Sequence, residues 1–189
     1  MSKFVRNEDA FTGLEAAIVL IAFVVVAAVF SYVVLGAGFF TTQKSQEVVH
    51  TGVSQASSNI EISGPVIAKA AATDQLASVS FYLQLAAGGT AVDMSKMTYT
   101  VASKTQAKSY ANSDSSKIAV VNIEGDNDNL LEPLEMKMVT ITLSDFTGAH
   151  KINVNDHFNI DVKPDQGAAL PISRTAPPGM EAGKFYEVY

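Results

Sequence analysis

Few residues in this chain are placed to do chemistry. The histidines are His50, His150 and His157, and their spacing matches no zinc-ligand pattern. Cysteine is absent, which removes thiolate nucleophiles, thiolate metal ligands and disulfides. There is no Gly-rich phosphate loop and no G-x-S-x-G elbow. The densest oxygen cluster is Glu124-Gly125-Asp126-Asn127-Asp128-Asn129. Asp126 and Asp128 are candidate ligands for a hard cation such as calcium, but the bidentate Glu that closes an EF-hand loop is missing. A solvated turn between strands is the plainer reading of this segment. No catalytic residue, cofactor site or small-molecule substrate is expected. A net charge of −6 and a pI near 5.0 argue against nucleic-acid binding, which needs a basic face. One carboxylate has an unusual setting: Glu15 borders a stretch, Ala16 to Gln43, that carries no charge at all.

That stretch is the element that must position Glu15. Ala16 to Phe40 is interrupted only by Ser31, Tyr32, Gly36 and Gly38. As a helix it spans about 37 Å at 1.5 Å per residue, enough to cross a bilayer core of roughly 30 Å. Its many valines and isoleucines weaken a helix in water, but in lipid a single segment has no other way to satisfy its backbone. Three fates are open to it. It is a secretory signal cut near Leu35-Gly36-Ala37-Gly38, a permanent single-pass anchor, or the mature N-terminus left by a leader cut ahead of it.

The residues before it bear on that choice. Lys3 and Arg6 precede Glu8-Asp9-Ala10, and Phe11-Thr12-Gly13-Leu14-Glu15 leads straight into the apolar run. This arrangement resembles the class III leader of archaeal flagellins (archaellins) and of type IV pilins. The resemblance implies a leader over residues 1–10, with Lys3, Arg6 and Gly13 as recognition residues. A prepilin-type membrane peptidase would cut between Ala10 and Phe11. The family usually places Gly before the cut, where this chain has Ala10. Glu15 matches the acidic residue that pilins carry shortly after the new terminus. There it can pair with the freed Phe11 amine, of its own or of a neighbouring subunit, during assembly; a carboxylate resting at the headgroup boundary is the other option.

Beyond the run, Val49, Val53, Ala56 and Ile60 recur at helical spacing until Gly64-Pro65. The pattern predicts one polymerisation helix over 11–63, with a weak point at Gly36 and Gly38. The first half of such a helix is too apolar to stay uncovered outside lipid. Ala16, Ala17, Ala22, Ala27 and Ala28 suit close helix packing, and Phe23 and Phe30 add contact area.

From about Leu76 the period changes to two. Val79–Leu85, Met97–Val101, Val139–Leu143 and Phe158–Val162 alternate apolar and polar residues. Phe185–Tyr189 reads as a last strand, and Ile118–Ile123, apolar on both faces, as a central one. The fold class is therefore α+β: a long helix, then an antiparallel β-sandwich or barrel, Ig-like, over 64–189. If the resemblance holds, the helices form the core of an archaellum filament and the β-domains its outer shell. The chain would sit in the cell membrane before assembly, and self or other archaellins would be its partners. An adhesive type IV-like pilin and an anchored surface-binding module are the alternatives. The chain has no N-x-S/T sequon.

Overall fold

The computed structural model describes residues 8–189, with side chains from residue 13 onward. Lys3, Arg6 and most of the expected leader lie outside the described residues, and Ala10 and Phe11 fall in the helix without described side chains. Contacts divide the chain into a helical unit ending at Thr51 and a β unit, Gly52–Tyr189.

Helix α1, Glu8–Ser57, has 50 residues and a length of about 75 Å. It runs through Gly36 and Gly38 without interruption. Just after them, the Thr41 and Thr42 hydroxyls donate to the carbonyls of Ala37 and Gly38 at 2.8 and 2.9 Å. Two polar side chains next to the apolar run are satisfied within the helix in this way. The helix ends at Ser57, short of the expected Ser63. Ser57-Ser58-Asn59 have side chains that compete for backbone groups and favour helix ends. Ile60 leaves the helical stripe and begins strand β1, Ile60–Ile62, whose Ile60 is buried. Gly64, at φ +95°, makes the turn that the sequence had pointed to as the helix stop.

The β unit continues with β2 (Val66–Ala72), β3 (Gln75–Leu85), β4 (Val92–Asp93), β5 (Thr98–Ala102) and β6 (Ala107–Ala111). Then come β7 (Ile118–Glu124), β8 (Leu130–Leu131), β9 (Met136–Thr142), β10 (His157–Lys163), β11 (Leu170–Thr175) and β12 (Phe185–Val188). One sheet has six strands in the order β12-β2-β3-β9-β7, with β1 also paired to β3. A second has four in the order β11-β10-β5-β6, and β4 and β8 form a small ribbon. All pairings are antiparallel. The sheets do not close into a barrel.

Alternation in β3, β9, β5 and β10 sends one face of each sheet inward. Phe81, Val139 and Ile141 from the larger sheet and Tyr99, Phe158 and Ile160 from the smaller one join a single core, all at most 1% exposed. The outward faces carry cross-strand hydroxyl pairs, Ser80 with Thr140 at 2.9 Å and Thr100 with Ser109 at 2.5 Å.

One strand differs from expectation. β7 is an edge, paired with β9 alone. Ile118 and Val120 pair with the inward Ile141 and Val139, whereas Val121 and Ile123 stay 47% and 48% exposed. An apolar sequence on both faces marked a strand covered twice; a single copy of the chain covers β7 once.

Candidate assembly surface

From Gly13 to Val53 every residue of α1 is exposed. An amphipathic helix laid on its own domain hides one stripe, yet here the apolar side chains point in all directions and none is covered. Phe23, Phe30 and Tyr32 are 75%, 69% and 81% exposed. Small residues such as Ala22 and Ala27 lie between these large ones, leaving gaps that another helix can fill. Glu15 lines the same helix surface as Val19, Phe23 and Ala27, a carboxylate at the head of an apolar face.

The distal helix is different. Lys44 and Glu47 form an exposed ion pair at 2.5 Å, worth little in water. Among these polar neighbours Val48, Val49 and Val53 remain 68%, 64% and 62% exposed. The last turn is held within the β unit. Ser54 Oγ donates to Gln166 Oε1 at 2.9 Å. The Ser58 hydroxyl, on a residue only 2% exposed, reaches the Ser54 carbonyl and the Thr90 hydroxyl at 2.7 Å each. Two glycines make room for this turn. A Cβ at Gly167, which sits at φ +105°, would run into the Ser58 carbonyl, and one at Gly89 would crowd the Ser57 carbonyl. The Ala86 N–H donates to the Asn59 carbonyl at 2.9 Å, joining the β3–β4 loop to the same place.

The loop between β7 and β9 gathers the carboxylates singled out in the sequence. Oxygens of Asp126, Asp128 and Glu135 lie within 4.8 Å of one another. This is the hard-oxygen donor set that calcium takes, but each group already has an internal partner. Glu135, 8% exposed, accepts the N–H of Asp126 through one oxygen at 3.1 Å and of Glu132 through the other at 3.0 Å. Asp126 and Asp128 accept the N–H groups of Asp128 and Leu130 at 3.2 and 2.8 Å. Lys137, 1% exposed, donates to the Asp128 carbonyl at 2.8 Å and lies 3.5 Å from its carboxylate. The buried ammonium supplies positive charge where a cation would otherwise be needed.

No histidine joins this group among the described residues. His50 is exposed on α1, His150 shares a hydrogen bond with Thr105 at 3.0 Å, and His157 shares one with Ser173 at 2.8 Å. The shifted titrations belong to structural pairs. A hydrogen bond from Lys117 holds Asp145 below the usual carboxylate range, and one from Lys104 does the same for Asp156. Burial, with Asp145 nearby, pushes Tyr110 up to about 12; burial also raises Tyr99.

The sequence singled out Glu15, Asp126 and Asp128 as candidates; it did not single out Glu135, Lys137 or the Ser58, Gly89 and Gly167 clasp. Lys137 falls at an inward position of the alternating run of β9, a signal that was available. The glycines carried none, because their role depends on a neighbour distant in sequence.

The archaeal-type flagellin family matches residues 10–174. "Probable flagellin 1" of Archaeoglobus fulgidus is 50% identical, over 95% of this chain and 96% of its own. The subunit in the structure of the archaeal flagellum of Methanospirillum hungatei superposes with a TM-score of 0.74 at 37% identity, covering 94% of this chain and 99% of that one. An archaeal flagellin crystal structure from Methanocaldococcus jannaschii has a TM-score of 0.56 at 12% identity over 68% of this chain and 95% of that one, a likeness of fold.

Proposed function

Since the chain belongs to the archaeal-type flagellin family, we infer that its uncovered helix is the element by which copies of it assemble. The protein is a structural subunit of the archaellum filament. The observation that carries this reading is the helix surface: some forty residues, Gly13 to Val53, without one buried side chain. Water does not tolerate so much apolar area, and neighbouring helices of the same kind cover it. The family is one of filament subunits, and no catalytic role is assigned.

The finer steps are proposals of ours. The chain is made as a precursor with a leader over residues 1–10, read through Lys3, Arg6 and Gly13. A prepilin-type peptidase cuts between Ala10 and Phe11. Before assembly the apolar helix lies in the cell membrane, which its length and composition allow. After assembly the helices form the filament core, residues 64–189 face outward, and the filament serves swimming. Other archaellins can enter the same filament. Glu15 neutralises the Phe11 amine as subunits come together, because both charges leave water at that step.

Mass spectrometry of filaments sheared from cells tests the reading. A mature chain starting at Phe11 is expected; filaments made of a chain that starts at Met1 would overturn the cut. For Glu15, Glu15→Leu is expected to lower filament yield by about tenfold while membrane-inserted subunit accumulates, since tenfold corresponds to only about 1.4 kcal/mol. Unchanged filament yield would dismiss the pairing.

A further inference from the structure

We propose that the buried Lys137 ammonium is a pin. Through the β7–β9 loop and the β4–β8 ribbon it fixes the seat of the last helical turn.

Lys137 stands where its strand should carry an apolar residue. It occupies an inward position of β9, paired with Leu83 on β3 and Asn122 on β7, and it is 1% exposed. Leucine or methionine fills such a place without electrostatic cost, whereas an ammonium taken out of water has to be held by partners. Its charge, and not its volume, is what sets the lysine apart from those alternatives.

The partners show what the charge holds. Nζ donates to the Asp128 carbonyl at 2.8 Å and lies 3.5 Å from the carboxylate of the same residue. Two residues earlier, the buried Glu135 accepts the N–H groups of Asp126 and Glu132. One short stretch, Glu135-Met136-Lys137, thus grips the loop at three points. The ammonium also brings positive charge to oxygens of Asp126, Asp128 and Glu135, which crowd within 4.8 Å of one another. Without it these carboxylates repel and the loop spreads.

What the loop carries is too small to place itself. Strands β8 and β4 pair over two residues each, Leu130-Leu131 with Asp93-Val92, and join neither of the larger sheets. A ribbon of that size has no stability of its own, so its ends position it. At one end Lys137 holds Asp128, and the next residue, Asn129, accepts the Met94 N–H at 2.9 Å. At the other, Thr90 lies just before β4, and its hydroxyl shares the 2.7 Å hydrogen bond with Ser58. From the same β3–β4 loop the Ala86 N–H donates to the Asn59 carbonyl. Val92, Met94 and Leu131 are at most 2% exposed, and close packing passes a shift at one end to the other. Ser58 and Asn59 follow α1 directly, and every residue on this route belongs to the β unit. With the ribbon pinned at Lys137, Thr90 and Ala86 meet the last turn in fixed places; with the pin removed, both contacts loosen.

Amide hydrogen exchange of the full chain in detergent tests this, and it needs no filament. Lys137→Met keeps the length of the side chain and removes its charge. The amides of Met94, Ala86 and Asn59 are expected to exchange about tenfold faster, the scale of one hydrogen bond to a charged group. Those of Phe81 and Ile160, in the middle of the two sheets, should keep their wild-type protection. Glu135→Gln leaves the lysine in place but weakens the hold on Asp126 and Glu132. It should speed the same three amides to a smaller extent, and it carries the test if Lys137→Met does not fold. Faster exchange confined to residues 126–132, or no change anywhere, would overturn the pin. So would wild-type Met94 and Ala86 amides that speed up when EGTA removes calcium, since a bound ion would then be fixing the loop.

Discussion

The two units of this molecule treat apolar residues in opposite ways. The β unit hides Phe81, Tyr99, Phe158 and Ile160 in one core between its sheets. The helix leaves Phe23, Phe30, Val33 and Phe39 uncovered, though they are just as apolar. A domain that buries its own core is stable as a single copy. A helix that buries nothing draws its stability from lipid or from other helices, so its energy appears only in the assembly. The same chain thus holds a finished fold and an unfinished one, and a substitution should affect either the fold or the filament according to where it falls.

The sharpest break of that contrast is a charge in the helix. Val25→Asp should abolish filaments in electron micrographs, because each copy then carries a buried charge costing about 3 kcal/mol at a helix centre. The melting of the β unit, followed by circular dichroism, should not move. Next comes Phe81→Ala, with the roles exchanged. It should lower denaturant stability of the β unit by about 3–5 kcal/mol by leaving a cavity in the core. Subunits that still fold should assemble through an unaltered helix.

Smaller effects arise within the β unit, at the last helical turn. Gly167→Ala meets both the Ser58 carbonyl and a left-handed backbone, and should destabilise the β unit by about 1–3 kcal/mol. Equal stability in denaturant titration would show that the clasp on the last helical turn has slack. The smallest effect is that of pH. Asp145 and Asp156 titrate below their ordinary value of 3.8 in the folded state. They bind fewer protons when folded, so their contribution is present above that value and is lost as pH falls below it. Tyr110 runs the other way: raised from 10.0 to about 12, it favours folding until pH climbs through that interval. Melting of the β unit should decline at both extremes.

What the sequence revealed follows the same division. The apolar helix could be read because nothing interrupts it. β3, β5, β9 and β10 could be read because strict alternation suits a strand with one face buried and suits a helix badly. β2 was hidden: Val66-Ile67-Ala68-Lys69-Ala70-Ala71-Ala72 is rich in alanine, a helix former, and becomes a strand only between β3 and β12. β6 and β11 are short and half polar, so tertiary pairing decides them. The helix end was placed too late because Ile60 fits the helical stripe as well as it fits β1. β7 looked central because sequence cannot say whether a second apolar face is covered within the chain or by another copy. At the candidate site, Glu15 was legible by its isolation in the sequence, whereas Gly167 was not. Its φ angle is a property of the turn, and nothing in Gln166-Gly167-Ala168 announces the Ser58 carbonyl packed against it.

The hydroxyl pairs on the outward sheet faces have a consequence for how the β unit responds to salt. Ser80 with Thr140 and Thr100 with Ser109 bridge neighbouring strands without charge. Ion pairs in the same places would fade as dissolved ions screen them within several ångströms, but neutral dipoles in contact are hardly affected. Sheet faces joined in this way hold these strand pairs together as well in brine as in dilute water.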